Sequence, residues 1–422
     1  MTPPATTPFV VNGRRYAPPA RPAVVICLDG SSDEYLDAAL DRGRMPHLQR
    51  MARDGYRGLA RSALPSFTNV NNASIATGAP PAVHGIVGNY FYDAASGQEV
   101  MMNSPTFLRA ETIFAAAARS GRRVAVVSAK EKLRKLLAQG LVGPEAPGVG
   151  GIAVSSEKAH EALVATHGIE DLERVVGLPT PPIYSGAASL YVLEAGVALL
   201  ARQRADFLYL STTDFIQHKF APEAVEALEF YGGIDAALGR LLAQGAVVGL
   251  TADHGMNAKQ HPGGGPNVIY LESALTQQFG PGFRVILPIT DPYVAHHGAL
   301  GSFAVVHLPP PGAAAPVRQW VSELAGVTEV YDRSTAARKL ELPEDRLGDL
   351  VVLAGRDVVL GRTPEWHDLA AVAGGLRSHG GRYEEMVPFL LSEPLRPAYA
   401  ARAAGDPRNF DIFDFVLNGT AL

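Results

Sequence analysis

Short apolar segments that end on polar residues set the pattern of this chain. Residues 245–250 are apolar and uncharged, and Asp253 and His254 follow them closely. A run of strand length without a polar face predicts a strand buried on both sides of a parallel sheet. The same pattern recurs before Asp29 and before Asp214. Several strands should therefore bring polar side chains to one edge of a sheet, where α/β folds keep their sites.

Helical patterns separate these apolar segments along most of the chain. Strands that alternate with helices need crossover connections, so we expect an α/β fold with a mostly parallel central sheet covered by helices on both faces. The predicted strands are 23–28, 56–64, 122–127, 207–210 and 246–250. The predicted helices are 33–40, 45–53, 69–76, 111–120, 129–137, 156–165 and 223–242, with a further one beginning at 188.

The pattern changes over residues 262–347, where short strands occur with one or two helices, one of them predicted at 316–325. This texture predicts a small α+β cap insertion, placed where it could cover the site. Residues 1–261 and 348–422 would then form the core domain. Two later apolar runs, 349–353 and 387–391, are predicted to return to the main sheet.

Metal-ligand residue types cluster at the predicted strand ends. Asp214 and His218 are spaced i, i+4, so a helical turn would place both on one face. His379 lies in a loop beside glycines, and Asp253-His254 ends its own strand. An isolated Asp-His-Gly is more often a polar loop that caps the next element. Several such groups at one edge favour zinc, and two zinc ions suit an in-line displacement at phosphorus.

A site of this kind also needs a nucleophile. Thr68 is predicted at the N-terminus of the helix 69–76, beside free backbone N–H groups that can bind phosphate oxygens. The simpler interpretation makes Thr68 the N-cap of that helix and nothing more.

Composition narrows the function classes. With 422 residues, of which 47% are hydrophobic, the chain can bury a large core. Its net charge of −5 provides no basic surface for nucleic acid. The single cysteine, Cys27, lies in a predicted buried strand and is expected to be a core residue. We expect no signal peptide and no membrane span, and hence a cytoplasmic protein.

The ordered motifs resemble the alkaline phosphatase superfamily, in its nucleotide pyrophosphatase/phosphodiesterase branch. The motifs are Asp29-Gly30, Met45-Pro46-His47-Leu48, Pro65-Ser66-Phe67-Thr68-Asn69, Thr77-Gly78, His84-Gly85-Ile86, Gly88-Asn89, Asp214 with His218, Asp253-His254-Gly255-Met256 and His379-Gly380. The resemblance implies two zinc ions per chain and a phosphoryl-binding role for Asn89. It implies one zinc on Asp214, His218 and His379. The other would lie on Asp29, Asp253, His254 and the Thr68 oxygen.

A narrower resemblance is to the phosphonoacetate hydrolase family. It is carried by Asn71-Asn72, Asn89-Tyr90-Phe91-Tyr92-Asp93, Val100-Met101-Met102-Asn103 and Val127-Ser128-Ala129-Lys130-Glu131-Lys132-Leu133. The resemblance implies that Lys130 and Lys132 bind the carboxylate of the substrate. The alternative is that both lysines are solvated helix charges, although their position just beyond a strand end favours the site.

The expected activity is hydrolysis of the carbon–phosphorus bond of phosphonoacetate, to acetate and phosphate, through a phosphothreonine intermediate at Thr68. The alternative within the superfamily is a phosphodiesterase or phosphomonoesterase that acts on nucleotides or other phosphate esters. A non-catalytic phosphonate-binding protein is a third hypothesis, which the nucleophile Thr68 disfavours. The expected partner is a small molecule, and a homodimer is possible. The remaining histidines are expected to be structural or on the surface, with His261 and His297 the strongest candidates for a role.

Overall fold

The computed structural model describes residues 7–142, 150–291, 297–310, 314–372 and 374–421. Its α-helices are Asp33–Asp41, Pro46–Asp54, Thr68–Thr77, Pro81–His84, Ile113–Arg119, Glu131–Leu137, Val164–His167, Leu172–Val176, Gly186–Ala201, Phe215–Lys219, Val225–Ala243, Leu271–Phe279, Ala314–Ser322, Arg333–Leu340, Pro397–Ala403 and Ile412–Asp414. Within the described ranges, no helix combines the length and the apolar character needed to span a bilayer.

The main sheet has seven strands. Their spatial order is Tyr56–Arg61, Met386–Leu391, Val247–Thr251, Ala23–Cys27, Phe207–Ser211, Val124–Ser128 and Ile152–Ser155. Only Met386–Leu391 runs antiparallel to its neighbours, and the remaining pairs are parallel. The prediction of a mostly parallel sheet in an α/β fold is therefore confirmed.

Both faces of this sheet are covered. In the central strand Ala23–Cys27 every residue is buried, and successive side chains enter two different hydrophobic cores. Helices Gly186–Ala201 and Val225–Ala243 supply one core, while Ile113–Arg119 and the C-terminal segment 410–417 supply the other. Because neither face meets solvent, the strand needs no polar position, which explains its uninterrupted apolar sequence.

A second sheet of four strands belongs mainly to the predicted insertion. The order is Arg284–Ile286, Phe303–His307, Leu350–Ala354 and Val327–Asp332. The prediction that 349–353 returns to the main sheet is wrong, because Leu350–Ala354 pairs on both sides with insertion strands. Its five residues are all buried, as in a central strand of either sheet, so composition could not distinguish the two sheets. The domain limits stay a prediction, and this pairing favours a later end for the insertion.

One edge strand was not predicted. Ile152–Ser155 extends the main sheet, and the helix predicted at 156–165 is wrong, since that region holds only a 3-10 turn at Ala159–Glu161 and the short helix Val164–His167. Small two-stranded pairings complete the fold. They join Phe9–Val11 to Arg14–Tyr16, Tyr90–Asp93 to Gln98–Met101, Asn257–Ala258 to Arg377–Ser378, and Val268–Tyr270 to Val359–Gly361.

Candidate active site

Three adjacent strands of the main sheet bring acidic residues to one edge. These strands are parallel neighbours, and Asp29, Asp214 and Asp253 follow their carboxyl ends within three residues. His254 comes directly after Asp253. All four residues are at most 3% exposed. Since parallel strands end at the same edge, side chains far apart in sequence meet there.

The side chains form two adjoining groups that could each hold a cation. Asp214, His218 and His379 make one group, and Asp29, Asp214 and His254 make the other; within each, the ligand atoms lie within 4.8 Å of one another. Nε2 of His218 is 3.0 Å from an Asp214 oxygen, and Nε2 of His254 is 3.3 Å from Oδ1 of Asp29. Asp214 is therefore common to both groups.

The three imidazoles share one tautomer. In each, Nδ1 donates a hydrogen bond to a backbone carbonyl, which fixes the tautomer and leaves Nε2 to face the acidic residues. The pairs are His218 with Arg377 at 2.7 Å, His254 with Gly255 at 2.9 Å, and His379 with Ser66 at 2.8 Å. This arrangement is typical of histidines that bind a metal through Nε2.

The electrostatics of the site also favour a bound cation. Burial raises the pKa of Asp253 well above its usual value, and the neighbouring Asp29 carboxylate raises it further. Burial alone would lower the pKa of His254, but the charges of Asp253 and Asp29 raise it to about 9. Oδ1 of Asp29 is buried without a hydrogen-bond donor. A metal cation would relieve the repulsion between the Asp29 and Asp253 carboxylates, and the nitrogen and oxygen donors suit zinc and related divalent ions.

Asp253 is held by the backbone and by an amide. Its Oδ1 accepts hydrogen bonds from the N–H groups of Gly30 and His254, and its Oδ2 accepts one from Asn72. The nearest Asp253 oxygen lies 3.8 Å from Nε2 of His254. The structure therefore brings Asp253 beside the second group, while its predicted role as a metal ligand stays a prediction.

Thr68 lies where a nucleophile is expected. It is the first residue of the helix Thr68–Thr77, and Phe67 takes the N-cap position that we predicted for Thr68. The Thr68 hydroxyl is 3.4 Å from Nε2 of His254. Thr68 also has helical backbone, so it belongs to the turn whose N–H groups can bind an anion. The Thr68 hydroxyl is thus close to the second ligand group. The N-cap of its helix is Phe67.

Asn89 completes this helix end. Its Oδ1 accepts a hydrogen bond from the backbone N–H of Asn69, the second residue of the helix, at 3.2 Å. Because Oδ1 is used in this way, Nδ2 is the part of the Asn89 amide that can donate to a ligand in the adjoining cavity. That cavity measures about 420 Å³, and Thr68, Asn89, Lys130 and Lys132 all line it.

The two lysines have different surroundings. Nζ of Lys132 pairs with Asp291 at 3.1 Å, whereas Nζ of Lys130 lies 3.4 Å from Asp29 and 3.3 Å from Asp214. Burial alone would lower the pKa of Lys130, but Asp214 and Asp29 outweigh it and raise the pKa above its usual value. Lys130 is therefore a cation among the candidate metal ligands. The Lys132 side chain is 37% exposed, against 30% for Lys130.

Comparison with known sequences identifies the family. The profile of the type I phosphodiesterase/nucleotide pyrophosphatase family matches residues 23–382, which contain every site residue described above. The chain belongs to this family. Over 83 residues it is also 36% identical to an uncharacterized pyrophosphatase/phosphodiesterase from Schizosaccharomyces pombe. That match covers 19% of this chain and only 16% of that relative.

Solved structures of similar proteins agree with this family membership. Phosphonoacetate hydrolase from Sinorhizobium meliloti 1021, in complex with phosphonoformate, has 48% sequence identity and a TM-score of 0.91; the match covers 99% of this chain and 100% of that one. The structure of the same enzyme in complex with phosphonoacetate has 47% sequence identity and a TM-score of 0.91, with the same coverage. Murine ectonucleotide pyrophosphatase/phosphodiesterase 5 has 16% identity and a TM-score of 0.62, with 95% and 96% of the two chains covered, and shares the fold.

Sequence reasoning assigned no role to Asn72, which links three parts of the site of this phosphodiesterase-family protein. Its Nδ2 donates to the Thr68 carbonyl and to Asp253, at 3.0 and 3.1 Å. Its Oδ1 accepts from the hydroxyls of Tyr209 and Ser211. The i, i+4 spacing from Thr68 on one helix was the signal that could have revealed it.

His297, of the predicted insertion, also lies near the site. Its ring centroid is 5.4 Å from that of His218, and the residue is 5% exposed. The sequence singled out His297 as a candidate, but only the tertiary structure brings it beside the first ligand group. His261 contributes its backbone to a turn with Gly264 and Gly265 and is exposed.

Replacing Asn72 should affect both stability and catalysis. Asn72→Ala removes hydrogen bonds from four buried partners, and we expect the free energy of unfolding to fall by about 1–3 kcal/mol. Hydrolytic turnover should fall more than tenfold, because Asp253 and the helix of Thr68 lose their link. Denaturant unfolding and steady-state kinetics measure the two effects. Ser74→Ala is the matched control, since Ser74 is buried on the same helix as Asn72 and its hydroxyl pairs with His84, which lies on the next helix. An equal loss of turnover in this control would contradict the prediction.

Proposed function

We propose that the protein hydrolyses the carbon–phosphorus bond of phosphonoacetate to acetate and phosphate. The observation that carries this proposal is the lining of one cavity of about 420 Å³ by Thr68, Asn89, Lys130 and Lys132. Such a cavity can take a phosphonate group and a carboxylate group of one small molecule together. The similarity to phosphonoacetate hydrolase over 99% of the chain supports the same substrate.

We infer that the two ligand groups hold two zinc ions. Asp214, His218 and His379 would bind one ion. Asp29 and His254 of the second group, together with the adjacent Asp253 and the Thr68 oxygen, would bind the other, and Asp214 would serve only the first ion. When bound, zinc would supply Lewis-acid stabilisation of the negative charge at phosphorus and lower the pKa of a coordinated hydroxyl group. The shared tautomer of the three histidines and the repulsion between Asp29 and Asp253 support this assignment.

Thr68 is the proposed nucleophile. After its hydroxyl proton is lost to solvent water, Oγ1 would form a bond to phosphorus while the bond from phosphorus to the methylene carbon breaks in line. The leaving electron pair would spread onto the carboxylate as an enediolate, and the carbon would take a proton from water. Asn89 Nδ2 would donate to a phosphoryl oxygen as charge develops there. Water would then hydrolyse the phosphothreonine and release phosphate.

The lysines would stabilise the carboxylate as it gains charge, and their different surroundings predict different losses. Lys132→Ala should lower kcat/KM for phosphonoacetate by an amount that corresponds to about 2 kcal/mol or more of activation free energy. The kcat/KM for an aryl phosphonate ester should fall far less, because that substrate has no carboxylate. Lys130→Ala should weaken both reactions, since its ammonium contacts Asp29 and Asp214. Steady-state kinetics on the two substrates measures this difference.

Lys135→Ala provides the matched control for the lysines, because Lys135 lies on the same helix and is exposed. It should leave both substrates unaffected. If Lys132→Ala lowers kcat/KM equally for phosphonoacetate and for the aryl ester, Lys132 binds the phosphonate group or stabilises the fold. It then does not bind the carboxylate.

The second candidate function is hydrolysis of nucleotide phosphodiesters, which the matched family favours by its description. A substrate panel separates the two. Purified, zinc-loaded protein should show its highest kcat/KM on phosphonoacetate, a low value on a nucleotide diester, and an intermediate one on an aryl phosphonate ester. A clear preference for the nucleotide would overturn the first proposal. A homodimer and a cytoplasmic location remain predictions.

A further inference from the structure

The cap insertion contributes a carboxylate to the cavity. Its segment 287–291 packs against the loop of Asn89, where the Asn89 N–H donates to the carbonyl of Pro288 at 2.8 Å. Contact is close at Gly88, since a Cβ there would lie 2.5 Å from the Cβ of Pro288. The segment ends at Asp291, whose side chain lines the cavity. A carboxylate in this position would repel an anionic substrate, so its presence needs an explanation.

The reason lies in the contact between Asp291 and Lys132. Both carboxylate oxygens lie near Nζ of Lys132, at 3.1 and 3.4 Å. Lys132 stands on the core helix Glu131–Leu137, so this ion pair joins the core to the insertion. The Lys132 side chain is 37% exposed, against 19% for Asp291. A lysine this exposed has many rotamers, and a substrate that binds it must immobilise it.

We propose that Asp291 is a positioning residue that holds the Lys132 ammonium ready for the carboxylate of the substrate. This inference rests on the proposed function. Asp291 fixes one rotamer of Lys132 before the substrate arrives, so less conformational entropy is lost when the substrate binds. Asp291 also repels the substrate, but Lys132 stands between the two carboxylates and screens that repulsion.

Glu157 is a second carboxylate in the cavity, and its contact is with the protein backbone. It also lines the cavity, yet its Oε2 accepts a hydrogen bond from the backbone N–H of Glu131 at 2.8 Å. Glu157 therefore caps the helix that carries Lys132. Removing its charge changes the field in the cavity without releasing the Lys132 ammonium from Asp291, which makes Glu157→Gln a matched control.

The test is a double-mutant cycle on two substrates. Asp291→Asn keeps the shape of the side chain and removes its charge. We expect kcat/KM for phosphonoacetate to fall about five- to tenfold, mainly through KM, and kcat/KM for an aryl phosphonate ester to stay within about twofold. In a Lys132→Met background the same change should have no further effect on phosphonoacetate, because no ammonium remains to be positioned. Asp291→Glu should restore part of the loss, and Glu157→Gln should affect the two substrates alike.

Three results would overturn the inference. Equal losses on both substrates would mean a structural role for Asp291. An undiminished effect in the Lys132→Met background would mean that Asp291 does not act through Lys132. A lower KM of Asp291→Asn for both phosphonoacetate and the aryl phosphonate ester would mean that the main effect of Asp291 is to repel the substrate. If the parent protein fails to cleave phosphonoacetate at all, the proposed function falls and this inference falls with it, whereas the results above leave the proposed function intact.

Discussion

Thr68→Ala should lower kcat for phosphonoacetate by at least about a thousandfold, which is about 4 kcal/mol of activation free energy. Thr68 is the first residue of the helix Thr68–Thr77, and its hydroxyl lies 3.4 Å from Nε2 of His254. Without this hydroxyl no covalent intermediate can form. The remaining groups can still bind the substrate, so the loss should appear in kcat more than in KM. Steady-state kinetics and rapid acid quench followed by mass spectrometry measure the loss and the phosphothreonine.

Thr68→Ser should retain part of the turnover, because it keeps the oxygen and loses only a methyl group. Thr77→Ala is the matched control: Thr77 is a buried threonine at the other end of the same helix, and its hydroxyl donates to the carbonyl of Ala73. The control should keep its turnover. If Thr68→Ala stays within about tenfold of the parent, about 1.4 kcal/mol, the nucleophile lies elsewhere.

Removal of metal should abolish turnover, and added zinc should restore it. We expect two zinc ions per active chain, because the ligand residues form two adjoining groups that meet at Asp214. Asp214→Asn should therefore lower the metal content below two and reduce turnover by at least about a thousandfold, about 4 kcal/mol. Elemental analysis and activity are measured on the same sample after exhaustive chelation and after readdition.

Asp235→Asn controls for the loss of a buried carboxylate. Asp235 is 2% exposed, and it accepts hydrogen bonds from the backbone N–H groups of His47 and Leu48. This variant should lose stability while it keeps its metal. One ion per fully active chain, or full activity after exhaustive chelation, would contradict the two-zinc assignment.

The edge of the main sheet could be predicted because its signals are local. Each of Asp29, Asp214 and Asp253 follows an apolar strand within three residues, so the sequence alone shows where each one lies. The strand order then brings them together, and the α/β fold with its mostly parallel sheet is confirmed. Their roles as metal ligands are still predictions.

Other features depend on contacts between distant parts of the chain. The pair of Lys132 and Asp291 spans 159 positions, and no local pattern marks Asp291 as its partner. His297 lies beside His218 only because the insertion packs there. The strand Leu350–Ala354 is apolar enough for either sheet, and its insertion partners decide where it belongs. Local pattern therefore predicted most elements of the main sheet. It missed the edge strand Ile152–Ser155, and it could not decide between two sheets for Leu350–Ala354.

The most direct test of the proposed function is phosphorus and proton NMR of phosphonoacetate incubated with the purified, zinc-loaded protein. The phosphonate signal should be replaced by inorganic phosphate and acetate in equal amounts, and Thr68→Ala and the chelated protein should leave it unchanged. A phosphonoacetate signal that persists, while the same sample hydrolyses a nucleotide diester, would contradict the assignment of this protein to carbon–phosphorus bond cleavage.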